Sequence, residues 1–157
     1  MKSKKGKLFR NRDSKCLVIE YKPDDGYYSF VQKEQRNGNS QIIITSGIML
    51  ALAETLLTKY AFNITGIEFM VDGSDFEDEI SMLLGALQDN KAYWAVLKDR
   101  LQFLQREDSV EIKRISFKSA LTGEMHDVYV NGVFVSAEAA YESFSTLLSG
   151  CIARCLE

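Results

Sequence analysis

Short apolar runs that alternate with polar positions end twice at a serine, and each time an apolar-striped segment follows. The first junction is Ile42-Ile43-Ile44-Thr45-Ser46, leading into residues 47–62. The second is Val133-Phe134-Val135-Ser136, leading into residues 137–155. Two further strand-like segments precede each junction. Period-2 alternation marks half-buried strands, and period-3.6 stripes mark helices facing a core. The pattern therefore predicts an α+β fold of two pseudo-repeated strand-strand-strand-helix units with antiparallel sheets. A long or broken helical insert separates the two units.

In the first unit, residues 15–22 read as a strand from their β-branched and aromatic content. Pro23-Asp24-Asp25-Gly26 reads as a turn, because proline presets φ and glycine accepts positive φ. Residues 27–33 are expected to return as a second strand and residues 41–45 to form a third, with Arg36-Asn37-Gly38-Asn39 turning between them. Alternation puts Leu17, Ile19, Tyr21, Tyr28, Phe30, Ile42 and Ile44 on the core face. It puts Val18, Glu20, Lys22, Tyr27, Ser29, Val31, Lys33, Gln41 and Thr45 on the other. Ser46 is placed to cap the helix that follows, its hydroxyl accepting from an orphan amide of the first turn. That helix is apolar over more than one stripe, so it should pack on a second element besides the sheet.

Residues 67–71 read as a short strand. Ser74-Asp75-Phe76-Glu77 has the form of a capping box, with acidic residues against the positive end of a helix dipole. The acidic run 72–79 lacks the ligand spacing of an EF-hand loop. Beyond it, Ile80, Leu83, Leu87, Asn90, Trp94, Leu97, Leu101 and Leu104 alternate by three and four, as a heptad seam does. A continuous helix over 75–106 would be roughly 48 Å long, more than a body of this size covers. Gly85 and Gln88-Asp89-Asn90 allow a break there, with Asn90 as a second cap. A continuous helix would put Asn90 in the seam and make Leu87, Asn90, Trp94, Leu97 and Leu101 the candidate oligomerisation residues. A broken one would lay the seam on the body.

In the second unit, Val110 and Ile112 share one face while Ile115 and Phe117 share the other. That phase flip predicts a β-bulge near Lys113-Arg114. Leu121-Thr122-Gly123-Glu124 makes a turn, and strands at 127–130 and 133–135 flank Asn131-Gly132, the pair a type I′ hairpin favours. Ser136 is placed to cap the last helix, whose stripe is Tyr141, Phe144, Leu148, Cys151 and Cys155. The resulting organisation is a basic flexible arm at 1–14 and one α+β domain at 15–157. Within that domain lie the first unit (15–62), a strand plus helical insert (63–108) and the second unit (109–157).

Composition narrows the class. A chain of 157 residues that is 46% apolar can bury one sizeable core. No apolar stretch reaches the ~20 residues of a membrane span, and the start has no apolar h-region, so no membrane partner is expected. Three widely spaced cysteines do not make a disulfide framework. They point to a cytoplasmic location and make the sequon Asn63-Ile64-Thr65 incidental. The net charge of −3 hides an asymmetry: residues 1–15 hold seven Lys and Arg against Asp13, a local balance of +6, while the remainder sums to −9. A basic arm on an acidic body either neutralises phosphates or serves as a solubilising tail.

Catalytic signatures are missing from the sequence: it has no phosphate-binding glycine loop, dinucleotide fingerprint, zinc-protease helix or nucleophile elbow. Cys151 and Cys155 at i and i+4 continue an apolar stripe and read as core thiols. His126, the only histidine, has no metal-ligand spacing to its neighbours, and Asp127 next to it would point to the opposite face of a strand. Neither an enzyme nor a cofactor or metal is expected. Tyr27, flanked by Lys22 and Lys33 with Arg10, Arg12 and Lys15 nearby, combines a stacking platform with phosphate contacts, as single-strand binders do. Alternatively, Tyr27 packs against a dimer partner or the long helix.

The run from Lys5-Gly6-Lys7 through 15–21, Asp25-Gly26-Tyr27-Tyr28-Ser29-Phe30 and Ser40-Gln41-Ile42-Ile43-Ile44 into the helix resembles a PUR repeat. It is also similar to the Whirly class, in which strand units followed by a helix are duplicated in one chain. The likeness covers roughly residues 5–62, with a looser echo in 109–155. It implies binding of single-stranded DNA or RNA on a curved sheet, and a homodimer. The expected function is thus a small cytoplasmic single-stranded nucleic-acid-binding protein contacting its ligand through Arg10, Arg12, Lys15, Lys22, Tyr27 and Lys33. The alternative is a non-catalytic protein–protein adaptor or inhibitor that oligomerises through the helical insert.

Overall fold

Leu8 and Phe9, adjacent in the segment expected to be a flexible arm, are both fully buried and belong to different cores. They can do so because they lie on opposite faces of a strand inside a sheet. In the computed structural model, which describes residues 2–22 and 24–156 (of Ser74 the backbone alone), the chain runs β1 (Ser3–Arg10), β2 (Cys16–Tyr21), α1 (Tyr27–Arg36), β3 (Ser40–Gln41), α2 (Ser46–Lys59), β4 (Phe62–Phe69), α3 (Ser74–Asp89), α4 (Tyr93–Asp108), β5 (Ile112–Ser119), β6 (Met125–Tyr129), β7 (Val133–Ala137) and α5 (Tyr141–Cys155). Strand order is β2-β1-β7-β6-β5-β4, with β3 paired to β1, and every pairing is antiparallel. The fold is α+β as predicted, and the strands of both halves share one sheet because β1 pairs with β7, Lys5 opposite Val135.

Alternation along the strands divides the cores. Leu8, Ile64, Ile115, Phe117, Val128 and Phe134 point to the face covered by α2, α3, α4 and α5 and form the main core with them. Phe9, Leu17, Ile19 and Tyr21 point the other way and meet Tyr27, Phe30 and Val31 of α1. The second face of β7, β6, β5 and β4 carries a polar network instead. There the Arg114 guanidinium donates to Ser116 Oγ, lies 3.4 Å from Glu68 Oε1 and 3.4 Å from Asp127 Oδ1, and Ser116 donates to Asp127.

Several local expectations change. Residues 27–36 are a helix and not a returning strand, because Tyr27, Phe30, Val31 and Glu34 at i, i+3, i+4 and i+7 make one inward face. The third strand shrinks to Ser40–Gln41, and residues 42–44 cross beneath the β6–β7 turn instead, Ile42 N–H donating to Leu8 O and Ile44 N–H to Val130 O. Neither junction serine caps a helix. Thr45 accepts from Ile48 N–H at the start of α2, whereas the buried Ser46 donates to Glu111 and accepts from Ile112 N–H, stitching α2 to β5. Ser136 lies within β7, buried against His126. Phe62 opens β4 instead of closing α2, and β4 begins five residues earlier than expected. At α3 the N-cap is Gly73; the Ser74 side chain of the expected capping box, like Pro23 of the expected turn, lies outside the described residues.

Other expectations hold. The β4–β5 register slips between Glu68 and Phe69, leaving Lys113 as the extra residue that lets Ile112 and Ile115 share the core face. The hairpin turns at Asn131-Gly132 as expected, but not as type I′: Gly132 alone has a positive φ, +83, and a Cβ there would lie 2.5 Å from Ile42 O. Of the two alternatives for the insert the broken one forms: Asn90 ends α3 and its side-chain oxygen accepts from Ala92 N–H at 3.0 Å, while Ala92 and not Asn90 is the N-cap of α4. Helices α3 and α4 fold back on each other, tied by Arg100 Nε to Glu79 Oε2 at 2.9 Å. The seam is spent on the chain's own core: Leu87, Trp94, Leu97 and Leu101 are buried there, and Asn90 alone is exposed at the turn. Those five residues therefore form no free oligomerisation surface. No helix among the described residues is long and apolar enough to cross a membrane.

Candidate functional site

Helix α1 starts where β2 delivers Tyr21 and runs back along the strand to the β1–β2 turn. Its two leading tyrosines diverge. Tyr27 joins an aromatic ladder, its ring 5.9 Å from Tyr21, which in turn lies 5.1 Å from Phe30. Its hydroxyl donates to Gln41 Oε1 at 3.3 Å, and burial pushes its pKa upward. Tyr28 meets Tyr27 edge-on at 5.6 Å and is 81% exposed. The period-2 reading had assigned these two side chains the opposite way, and a helical period of 3.6 exchanges them. Tyr27 thus lacks a free face for stacking, and Tyr28 has one.

Beneath the ladder lies Lys7, fully buried, its ammonium 5.6 Å from the Phe9 ring centre and 5.5 Å from that of Tyr27. It donates to the main-chain carbonyl of Asn131. Burial lowers its pKa to about 8. Among the described residues it has no carboxylate partner. A lysine expected in a solvated arm is therefore a structural post between α1 and the β6–β7 turn.

The six expected contact residues separate into four groups. Lys33 is exposed on the outer side of α1, and Arg12 lies against Gly38 just past the end of that helix, so close that a Cβ on Gly38 would sit 2.1 Å from Arg12 Nε. Lys22 stands at the other end of α1, beside the exposed carboxylates of Asp24 and Asp25. Arg10 and Lys15 turn to the opposite face and line a groove of about 580 Å³ with Ser14, Thr146, Ser149 and Gly150 of the turn and α5. Tyr27, as described, is half-buried in the aromatic ladder. Among the described residues none of the five cations forms an ion pair.

Four residues outside the six expected contacts make up the outer face of α1. Tyr28, Gln32, Gln35 and Arg36 fall at i, i+4, i+7 and i+8 and form one exposed stripe, with Lys33 alongside. The helix has a single carboxylate, Glu34, which is buried and accepts from Asn39 Nδ2 at 3.0 Å. The exposed side of α1 is consequently cationic at its C-terminal end and aromatic at its N-terminal end. Testing residues 27–36 for helical period would have exposed this stripe in the sequence.

His126 is a further titratable group inside the fold. It stacks on Phe144 at 4.0 Å, shares a hydrogen bond with Ser136, and burial holds its pKa down to about 4. Asp127 faces the opposite side of the sheet, as strand alternation requires. Among the described residues, no group of three or more His, Cys, Asp or Glu is placed to hold a metal ion, and the three cysteines are unpaired. Comparison with protein-family models, curated proteins and solved structures found no match.

Proposed function

We propose that this is a non-catalytic cytoplasmic protein that binds single-stranded nucleic acid along the outer face of α1. The observation that carries the reading is the exposed stripe of Tyr28, Gln32, Gln35 and Arg36, flanked by Lys33 and Arg12, on a helix whose only carboxylate is buried. Tyr28 supplies a π-face on which a base stacks whatever its identity, and stacking of this kind is worth ~1–3 kcal/mol per base. Lys33, Arg36 and Arg12 supply the phosphate contacts, and the two glutamines supply neutral donors and acceptors between them. The strand continues over the β1–β2 turn towards Arg10 and Lys15.

Fluorescence anisotropy with a labelled 20-nucleotide single strand, as dT and as rU, tests the reading. Three phosphate contacts on a single strand give a logarithmic salt slope near −2, so affinity should fall roughly fifteenfold between 50 and 200 mM salt. Tyr28→Ala should weaken binding about tenfold while leaving the fold intact, and Lys33→Glu with Arg36→Glu should abolish it. Absence of binding by the wild-type protein at 20 mM salt would overturn the proposal. An adaptor role draws instead on Tyr93, Val96 and Phe103, exposed along α4; it is favoured if those three, and not the α1 cations, govern recovery of a binding partner.

A further inference from the structure

Strand β4 ends the sheet, and α3 lies beside it. Between them runs a groove of about 540 Å³. Its floor is apolar, formed by Ile67 and Phe69 of the strand and Ile80 and Leu84 of the helix. Among the described residues, no hydrogen bond from outside the sheet reaches the backbone of Thr65, Gly66, Ile67 or Glu68. One step earlier, Gln88 Nε2 donates to Ile64 O at 2.7 Å. That side-chain amide occupies the place a neighbouring strand's N–H would take, so the edge is capped at Ile64 and open beyond it. Open edges are templates for another strand.

Glycine placement points to a close visitor. Gly85 sits in the middle of α3, where glycine costs about 1 kcal/mol relative to alanine. A Cβ built on it would meet nothing within 4 Å, so no packing inside the chain accounts for it. Gly85 lines the groove and leaves it clear for a second backbone, whereas Gly66 of β4, also at the groove, would direct a Cβ to Ser116 on the other face of the sheet.

Charge defines the visitor further. Glu77 lines the groove, and Asp72, Asp75 and Asp78 are exposed where α3 begins. Among the described residues none of these four carboxylates is in an ion pair, whereas Glu68 and Glu79 are.

We infer that this groove accepts an extended peptide as an added strand on β4. Backbone hydrogen bonds to residues 65–68 hold the peptide, alternate apolar side chains enter the floor beside Gly85, and a Lys or Arg at one end meets the α3 carboxylates. From Thr65 to Phe69 the edge is ~14 Å long at ~3.4 Å per residue, which fits four or five peptide residues.

The probe is a pool of fluorescent hexapeptides with Val, Ile, Leu or Phe at positions two and four, Ser or Thr between them, and Lys at one end. Members of the pool should bind the full-length protein and protect from hydrogen exchange those amides of residues 65–68 that face away from β5. Gly85→Leu should cut that affinity at least tenfold without lowering the melting temperature. Replacing the terminal Lys by Glu should weaken binding severalfold. The proposal is overturned if no member binds at millimolar concentration, or if Gly85→Leu binds as the wild type does. It is overturned equally if the edge proves to be covered by a second copy of the chain, seen as concentration-dependent association that Gly85→Leu abolishes. The groove shares no residue with α1, so oligonucleotide binding stays unchanged in Gly85→Leu and the two proposals fail separately.

Discussion

His126 and Phe144 stack face to face, their ring centres 4.0 Å apart and their planes 8° from parallel, with Phe62 closing on the imidazole edge-on at 5.7 Å. The imidazole is thereby held between aromatic surfaces as the neutral form. Desolvation lowers its pKa from 6.5 to about 4, outweighing the opposing pull of Asp127.

From that difference follows an acid sensitivity with a defined window. Between pH 6.5 and pH 4 the unfolded chain binds a proton at His126 that the native protein does not, so unfolding becomes easier as the pH falls. The native state should lose about 3 kcal/mol across the window. Urea unfolding at pH 7.5 and at pH 4.5 measures it. His126→Phe should flatten this part of the profile; an unchanged slope in that variant would assign the acid sensitivity to other groups.

Lys7 gives the complementary case. It is fully buried with no carboxylate partner among the described residues, and its pKa is lowered from 10.5 to about 8. At pH 7 it is charged in both states, so the native protein carries the whole desolvation penalty; stability should then rise with pH between 8 and 10.5 as the native ammonium deprotonates first. The carbonyl of Asn131 and two aromatic faces return part of that cost. Lys7→Met keeps the length and removes the charge, and should stabilise the fold by about 1–2 kcal/mol at neutral pH. Guanidinium denaturation of the two proteins at pH 7 decides it, and a destabilised variant would mean that the aromatic and carbonyl contacts outweigh desolvation.

Fold class was legible from the alternation of strand-like and helix-like periods along the chain, and the Lys113 bulge and the Asn131-Gly132 hairpin because each rests on a few adjacent residues, whereas the residues of the insert allow either one helix or two. The errors arose where two periods coexist or where partners are distant in sequence. In the stretch from Tyr27 to Arg36, Tyr28 and Phe30 alternate like a strand while Tyr27, Phe30, Val31 and Glu34 repeat like a helix, and burial against Phe9 and Tyr21 favours the second. The N-terminal segment looked like an arm because Lys2, Lys4, Lys5 and Lys7 dominate its composition. Its strand character depends on β7, some 130 residues away, whose pairing with Lys5 and Lys7 no local signal announces. Of the expected contact residues, Lys33 and Arg12 lie near one helix, and the exposed aromatic there is Tyr28, the neighbour of Tyr27.

The two residues at the start of α2 allow a direct comparison between a cap and a buried tie. Thr45→Ala removes an exposed N-cap and should cost about 1 kcal/mol. Ser46→Ala removes the acceptor of the buried Ile112 N–H and a donor to Glu111, so its cost should be larger, about 2–3 kcal/mol. Thermal or chemical unfolding of the pair would reverse that ranking if Ser46 were the cap that the sequence suggested.

The heptad seam makes the last contrast. Leu97 and Leu101 are buried in the main core beneath α4, together with Leu87 and Trp94. Truncating Leu97 to alanine opens a cavity inside one chain and should cost about 2–5 kcal/mol of stability. Because the seam is internal, the molar mass from light scattering should not change with the melting temperature. Asn90→Leu should likewise leave the mass unchanged, since Asn90 turns the chain between α3 and α4 and its side chain serves Ala92 N–H. A seam between subunits would do the reverse, with Leu97→Ala lowering the molar mass at micromolar concentration before it lowered the melting temperature.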